Sequence, residues 1–116
     1  MSTLSTILAV ILGVVFVAVG IQKLSNDERT VANFKRWGYA DTIRSAVGAV
    51  ELLAGTMILV GIAVQSLAVA GSLILIFVMI GALATHSRHR DPFVMWSLPL
   101  MLLVLDLVFA YSLLPE

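Results

Sequence analysis

The sequence predicts an all-α protein, an integral membrane four-helix bundle with a short interfacial helix between helices 1 and 2. Of its 116 residues, 60% are hydrophobic and only 12% are charged, whereas soluble domains carry about 25% charged residues. Four segments are long and apolar enough to span a bilayer, which takes about 20 residues. None of the four alternates between apolar and polar residues as a membrane barrel strand does.

The predicted spans form one transmembrane domain, residues 1–116, and cover about residues 4–24, 43–64, 67–85 and 93–114. Residues 1–6 contain no basic side chain, so we interpret the first span as a retained helix rather than a signal peptide. Only Gln65 and Ser66 separate the second and third spans, which predicts a tight antiparallel hairpin. The fourth span has an alternative start, because Ser97 and Pro99 resemble an N-cap followed by a first-turn proline.

Residues 25–42 form the long connection between the first two spans. Asn26 or Asp27 is suited to cap a short helix there, and Gly38 is suited to end it in the left-handed conformation. The apolar face of this helix comprises Val31, Phe34 and Trp37. We expect an interfacial linker, and a lid or docking surface is the alternative.

Basic residues are confined to one side of the predicted bundle. The seven are Lys23, Arg29, Lys35, Arg36, Arg44, Arg88 and Arg90. The positive-inside rule therefore predicts a multi-pass protein of the cell (plasma or bacterial inner) membrane, with loop 25–42 in the cytoplasm and both termini outside it. The net charge of zero gives no reason to expect a nucleic-acid partner.

Two acids lie deep within predicted spans, Glu51 in the second and Asp106 in the fourth. A carboxylate at that depth costs at least about 2.5–3.5 kcal/mol, so it should face the bundle interior and have a partner. Lys23 and His86 end their spans on the side nearest Glu51. We therefore predict a buried polar site of Lys23, Glu51, Asp106 and His86. It either receives a head group, a proton or a quinone, or it is structural, with Asp106 bonded to a hydroxyl group.

Other residues suit packing or exclude some chemistry. Gly13 and Gly20 share one helical stripe and Gly48 and Gly55 another, which predicts close packing of the first two spans. Gly81 and Thr85 could serve self-association instead. The absence of cysteine excludes disulfides and dithiol redox chemistry. We expect no metal site, because His86 and His89 have no third ligand at hand.

Several of these residues recur in a known family. The residues that carry the resemblance are Gly13, Phe16, Gly20, Lys23, Phe34, Trp37-Gly38-Tyr39, Arg44, Gly48 and Glu51-Leu52-Leu53. In this pattern the chain resembles the DoxX-like (DoxX/DoxD) family of small four-helix membrane proteins. The resemblance implies that Lys23 and Glu51 form a buried polar pair. It also implies relatives among thiosulfate:quinone oxidoreductase subunits, membrane redox assemblies and, in animals, a chaperone for acetylcholine receptors.

Three functions follow as hypotheses. The first is an accessory, quinone- or lipid-interacting subunit of a membrane redox system, with quinone as the candidate cofactor. The second is a non-enzymatic assembly factor for other membrane proteins. The third is a proton-coupled transporter of the small multidrug resistance type, although the first span here contains no acid. Expected partners are the lipid bilayer and a membrane protein or a second copy of the chain; whether a reaction is catalysed is left open.

Overall fold

Five helices make up the structure, a computed structural model that describes residues 1–115. They are α1 (Thr3–Leu24), α2 (Glu28–Arg36), α3 (Asp41–Val60), α4 (Gln65–Arg88) and α5 (Phe93–Ser112). All but α2 are long and apolar enough to cross a membrane. The described residues contain no strand, so the predicted all-α membrane fold with its short additional helix is confirmed.

The four long helices pack in the cyclic order α1, α3, α4, α5, in a molecule 44 Å long. Ser5 of α1 donates a 2.7 Å hydrogen bond to Ser112 of α5 and helps close this ring. That end also holds the turn between α3 and α4, and we call it the hairpin end. At the other end α2 lies against α1 and α3, and we call this the α2 end.

Glycines bring α1 and α3 into backbone contact. A Cβ atom on Gly20 would lie 2.7 Å from the carbonyl oxygen of Gly48. Seven residues later in α3 and seven residues earlier in α1, a Cβ atom on Gly55 would lie 3.0 Å from the carbonyl oxygen of Gly13. Lipid tails are as apolar as the helix surface, so burying that surface contributes little free energy in a bilayer. Close backbone packing of this kind is therefore a main source of helix association.

One glycine brings α3 and α4 into close contact. Near the hairpin end, a Cβ atom on Gly71 would lie 2.8 Å from the carbonyl oxygen of Ala54. Towards the α2 end, a Cβ atom on Gly81 would meet nothing within 4 Å. Gly71, which the sequence pattern does not single out, thus makes a close contact between helices, and Gly81, on an exposed part of α4, does not.

Apolar side chains fill the bundle and also cover its outside. The buried ones include Leu8, Leu12, Phe16, Ile58, Leu75, Met79, Leu102 and Phe109. Many large apolar side chains on the outer faces are exposed, among them Phe77 at 75% and Val94 at 79%. An apolar exterior of this extent is stable in lipid and would associate in water, which agrees with a membrane-embedded bundle.

The boundaries of three spans differ from the prediction. The hairpin is not formed by Gln65 and Ser66: α3 ends at Val60, residues 61–64 turn, and Gln65 begins α4. The cause is Gly61, where even a Cβ atom would lie 2.6 Å from the Cα atom of Ala68. The remaining turn residues are apolar, so hydropathy does not mark the turn. α4 runs to Arg88 and α5 ends at Ser112.

The alternative start of the fourth span at Ser97 is wrong, because α5 begins at Phe93 and contains Pro99 in its interior. The Ser97 hydroxyl does not cap the helix and instead donates to the carbonyl oxygen of Val94. Proline removes only one N–H donor from the helix, and membrane helices tolerate this when neighbouring groups compensate.

The short helix α2 forms as its sequence predicts. Asp27 caps it by accepting hydrogen bonds from the Thr30 backbone N–H at 3.1 Å and the Thr30 hydroxyl at 2.8 Å. These bonds stabilise the charged carboxylate and lower the pKa of Asp27. At the other end Gly38 has φ +83°. Its N–H and that of Tyr39 bond back to the last turn in a Schellman motif.

Candidate functional site

Lys23 and Glu51 form an ion pair inside the bundle. The Lys23 Nζ atom lies 2.7 Å from Oε1 of Glu51, and the Glu51 side chain is only 2% exposed. The close packing of α1 and α3 creates this contact, because a Cβ atom on Gly48 would lie 2.8 Å from the Lys23 Cβ. The lysine stem thus crosses α3 at Gly48, one turn before Glu51. Among the described residues, Lys23 alone presents a donor to this carboxylate.

Arg44 holds the end of α1 where Lys23 lies. Its side chain is buried, and its Nη1 atom donates to the carbonyl oxygen of Lys23. Its Nη2 atom donates to Oδ1 of Asn26 at 3.0 Å. A cation at a helix C-terminus also offsets the negative end of the helix dipole. Arg44 therefore fixes the backbone from which the Lys23 ammonium reaches Glu51.

A cavity of about 430 Å³ lies beside the ion pair, towards the α2 end. This volume falls within the range of small-molecule sites. All five helices contribute to its lining, which is mostly apolar. Its polar lining residues are Lys23, Tyr39, Glu51, Thr85 and His86. The cavity thus combines a large apolar wall with a few hydrogen-bonding groups, as ligand sites usually do.

The phenol of Tyr39 joins the start of α3 to α4 across one wall of the cavity. Its oxygen lies 2.9 Å from the Thr85 hydroxyl. Because Thr85 donates its own proton to the carbonyl oxygen of Gly81, Tyr39 is the donor in this bond. Thr85 is therefore engaged within the bundle, along the cavity.

Aromatic side chains of α2 close the cavity at its water-facing end. Phe34 is buried, and the Trp37 ring meets it edge-to-face at 5.2 Å. The same tryptophan ring lies 5.1 Å from the His86 ring at nearly a right angle. The predicted short helix therefore covers one end of the ligand-sized space, the position that the alternative interpretation as a lid requires.

A single carboxylate, Asp91, fastens α2 to the loop between α4 and α5. It accepts two hydrogen bonds from the Arg36 guanidinium, at 2.6 and 3.3 Å, and one from the Trp37 indole at 3.1 Å. His86 Nδ1 lies 2.7 Å from Oδ2. Arg36, together with the bonds from His86 and Trp37, holds the pKa of Asp91 well below its usual range. We call Arg36, Trp37, His86 and Asp91 the Asp91 cluster.

An ionised carboxylate only accepts hydrogen bonds, so the Nδ1 atom of His86 carries a proton. The other ring nitrogen has no hydrogen-bond partner among the described residues. Lys23 likewise keeps N–H groups beyond the one directed at Glu51. These are the donors and acceptors with which the cavity can meet a ligand. Within residues 1–115, no three His, Asp or Glu side chains come together to hold a metal ion.

Sequence reasoning missed Asp91, although it is the acid of the third connection, among Arg88, His89 and Arg90. The turn after α4 fixes the backbone position of Asp91. Arg90 takes a left-handed φ of +53°, and the Asp91 N–H donates to the carbonyl oxygen of His86 at 3.0 Å. A lone acid among basic residues, just before Pro92, was the available signal.

Asp106 lies apart from the other predicted site residues. Its Oδ1 atom accepts a 2.6 Å hydrogen bond from the Ser72 hydroxyl, its Oδ2 atom has no partner among the described residues, and it does not line the cavity. Gly71, next to Ser72, packs on Ala54, one turn beyond Glu51 towards the hairpin end. The structure therefore joins Lys23, Glu51 and His86 around one cavity and pairs Asp106 with a hydroxyl elsewhere.

Replacing Asp91 with asparagine is expected to loosen α2. Asparagine keeps an acceptor for Trp37 but loses the charge that Arg36 pairs with, so backbone amides of residues 28–36 should exchange faster with deuterium. Asp41→Asn, which removes an exposed acid at the same end, should leave their exchange unchanged. Because the pKa of Asp91 is lowered, its contribution is present above about pH 4 and is lost only as pH falls through the lower value of the folded protein. Equal exchange in both variants would contradict this role for Asp91.

Comparison with known proteins places the chain in a family. Residues 7–109 match the model of the DoxX-like family, which covers nearly the whole chain. No curated protein and no solved structure gives a significant match. Four membrane-spanning helices agree with the family resemblance that the sequence motifs indicate. The chain belongs to the DoxX-like family.

Proposed function

We propose that this membrane protein binds a quinone in the cavity at the α2 end and acts as an accessory subunit of a membrane redox system. The observation that carries the proposal is the Lys23–Glu51 ion pair at the edge of a largely apolar cavity of about 430 Å³. Ionisable residues inside a membrane bundle are costly to bury, so an acid and a base at this position point to a functional site.

The chemistry of a quinone matches the groups present. A quinone has a flat ring with two carbonyl oxygens, which need hydrogen-bond donors, and an apolar tail. The Lys23 ammonium can donate to a carbonyl oxygen of the quinone. The neutral His86 ring, whose Nδ1–H is directed at Asp91, offers Nε2 as an acceptor, which suits a hydroxyl group of the reduced quinol. The Trp37 ring supplies an aromatic wall beside His86. Electrons would pass between the bound quinone and a partner subunit, in keeping with the quinone-dependent relatives that the family resemblance implies.

The same proposal places the α2 end on the cytoplasmic side of the cell membrane. Its support is the distribution of Lys and Arg residues, all seven of which lie in α2, at adjoining helix ends or in the α4–α5 loop. Basic residues in short loops are retained on the cytoplasmic side. In this orientation the cavity lies in the cytoplasmic half of the bilayer.

Quinone titration tests the proposal. Trp37 lines the cavity and becomes the only tryptophan when Trp96 is replaced by phenylalanine. In lipid nanodiscs, a decyl-tailed dimethoxybenzoquinone should quench Trp37 fluorescence saturably. The double variant Lys23→Met/Glu51→Gln removes both charged groups together and should weaken binding about tenfold or more, the loss expected for a hydrogen bond to a charged group.

A matched control is Ala49→Leu, which changes an exposed residue of α3 outside the cavity lining. Its affinity should equal that of the parent protein. Quenching that rises linearly with quinone and is the same in all three proteins would reflect partitioning into lipid alone. That result would rule out the proposed quinone site.

A further inference from the structure

The cavity is closed at one side and open at another. On the side facing the α2 end, Phe34 and Trp37 line it, and the Asp91 cluster fastens the helix that bears them. The Asp91 side chain at the centre of that cluster is only 2% exposed. A ligand coming from water would have to break the bonds of this carboxylate to Arg36 and Trp37.

One open side lies between α3 and α4. Four residues line the cavity and are also exposed on the bundle surface; Ile43, Phe77 and Gly81 belong to these two helices, and Leu98 belongs to α5. Gly81 adds no side chain to this opening, because even a Cβ atom there would meet nothing within 4 Å. Phe77 lies near the middle of α4, where the exposed face of a spanning helix meets lipid, so this opening leads into the bilayer.

Gly81 is otherwise unexplained by packing. Glycine weakens a helix relative to alanine, and the other glycines of the long helices contact a neighbouring helix closely. A side chain at position 81 would extend into the cleft instead. Glycine at this position therefore keeps the opening of the cavity free of a side chain.

We infer that the cleft between α3 and α4 holds the apolar tail of the ligand, which reaches the Lys23–Glu51 pair sideways from the lipid. This inference rests on the proposed function and adds to it the route and the class of ligand. The ligand is a lipid with a hydrogen-bonding head and a long alkyl or isoprenoid chain. The head lies at Lys23 and Glu51, the chain passes Gly81 and Ile43, and its far end stays in the bilayer.

Filling the cleft should separate head binding from tail binding. Gly81→Leu places a branched side chain in the opening without touching Lys23, Glu51 or His86. The probes are the decyl-tailed benzoquinone and the same ring with a methyl group instead of the tail, both followed by Trp37 fluorescence in nanodiscs. In Gly81→Leu, affinity for the decyl probe should fall about tenfold or more, because several methylene groups lose their contacts. Affinity for the methyl probe should stay within about twofold of the parent value.

Ala49→Leu places the same leucine side chain on the exposed side of α3, outside the cavity lining, and should change neither affinity. An unchanged decyl affinity in Gly81→Leu would overturn the inference, because the tail would then leave elsewhere. Equal losses for both probes would also overturn it, because the substitution would then act on the head site. If the parent protein binds neither probe saturably, the proposed function itself fails and the inference fails with it. Elution volume and Trp37 emission without ligand verify that the variant is folded.

Discussion

Gly20→Ala is expected to destabilise the bundle by about 1–3 kcal/mol, the usual cost of adding a methyl group to a fully packed contact. The new Cβ atom would lie 2.7 Å from both the carbonyl oxygen of Gly48 and the backbone nitrogen of Leu52. Backbone atoms cannot rotate away as a flexible side chain can. The helices α1 and α3 must therefore move apart along their whole contact.

Gly81→Ala is the matched control, because it makes the same substitution in a spanning helix where the new Cβ atom meets nothing within 4 Å. Alanine is also the better helix former by about 0.8–1 kcal/mol, so this variant should be as stable as the parent or more so. Stability can be compared by unfolding each protein in mixed micelles of increasing SDS content. Equal midpoints for the two variants would contradict the close contact of α1 and α3.

The double variant Gly20→Ala/Gly48→Ala should cost less than the sum of the single costs. Both glycines belong to one contact, since a Cβ atom on Gly48 would lie 3.0 Å from the carbonyl oxygen of Gly20. Once the first methyl group has pushed the helices apart, the second finds space. Non-additivity of this kind is expected for residues that touch.

The architecture was predictable because lipid leaves few options. Four apolar stretches of spanning length must be helices, since every backbone polar group has to be satisfied within the segment. The glycine spacing also indicated which faces of the first two spans meet. The turn at Gly61 was not predictable from hydropathy, because Ile62, Ala63 and Val64 continue the apolar run through the turn. Its position depends on the backbone of Ala68, which only the folded hairpin brings near.

The candidate site was predictable where its residues lie on the first two spans, whose glycines mark the contacting helix faces most clearly. Lys23 and Glu51 follow from helical spacing and from the cost of an unpaired acid in lipid. Asp91 could not be found this way, because its partner Arg36 lies 55 residues earlier in the chain and both are in short polar segments with no periodicity. The partner of Asp106 was predicted only as a hydroxyl group, and the helix order was needed to identify Ser72.

Replacing Lys23 with methionine is expected to cost about 3–5 kcal/mol, the range for breaking a buried ion pair by removing one partner. The Glu51 side chain is 2% exposed, and no other described group donates to it, so the acid would be left without a partner. Glu51→Gln should cost less, because the Lys23 side chain is 21% exposed. A long ammonium-bearing stem can extend towards the nearby interface.

The double variant Lys23→Met/Glu51→Gln should recover much of the stability lost in Lys23→Met. Removing both charges removes the cost of burying them, and replacing a whole buried ion pair is often neutral. The unfolding free energies of the four proteins in mixed micelles form a double-mutant cycle that yields the coupling energy. A coupling near zero would mean that Lys23 and Glu51 do not depend on each other. A large coupling energy, together with loss of quinone binding in a stable double variant, would separate the role of the pair in folding from its role in binding. A protein that folds without these two charges would then need them only to bind its ligand.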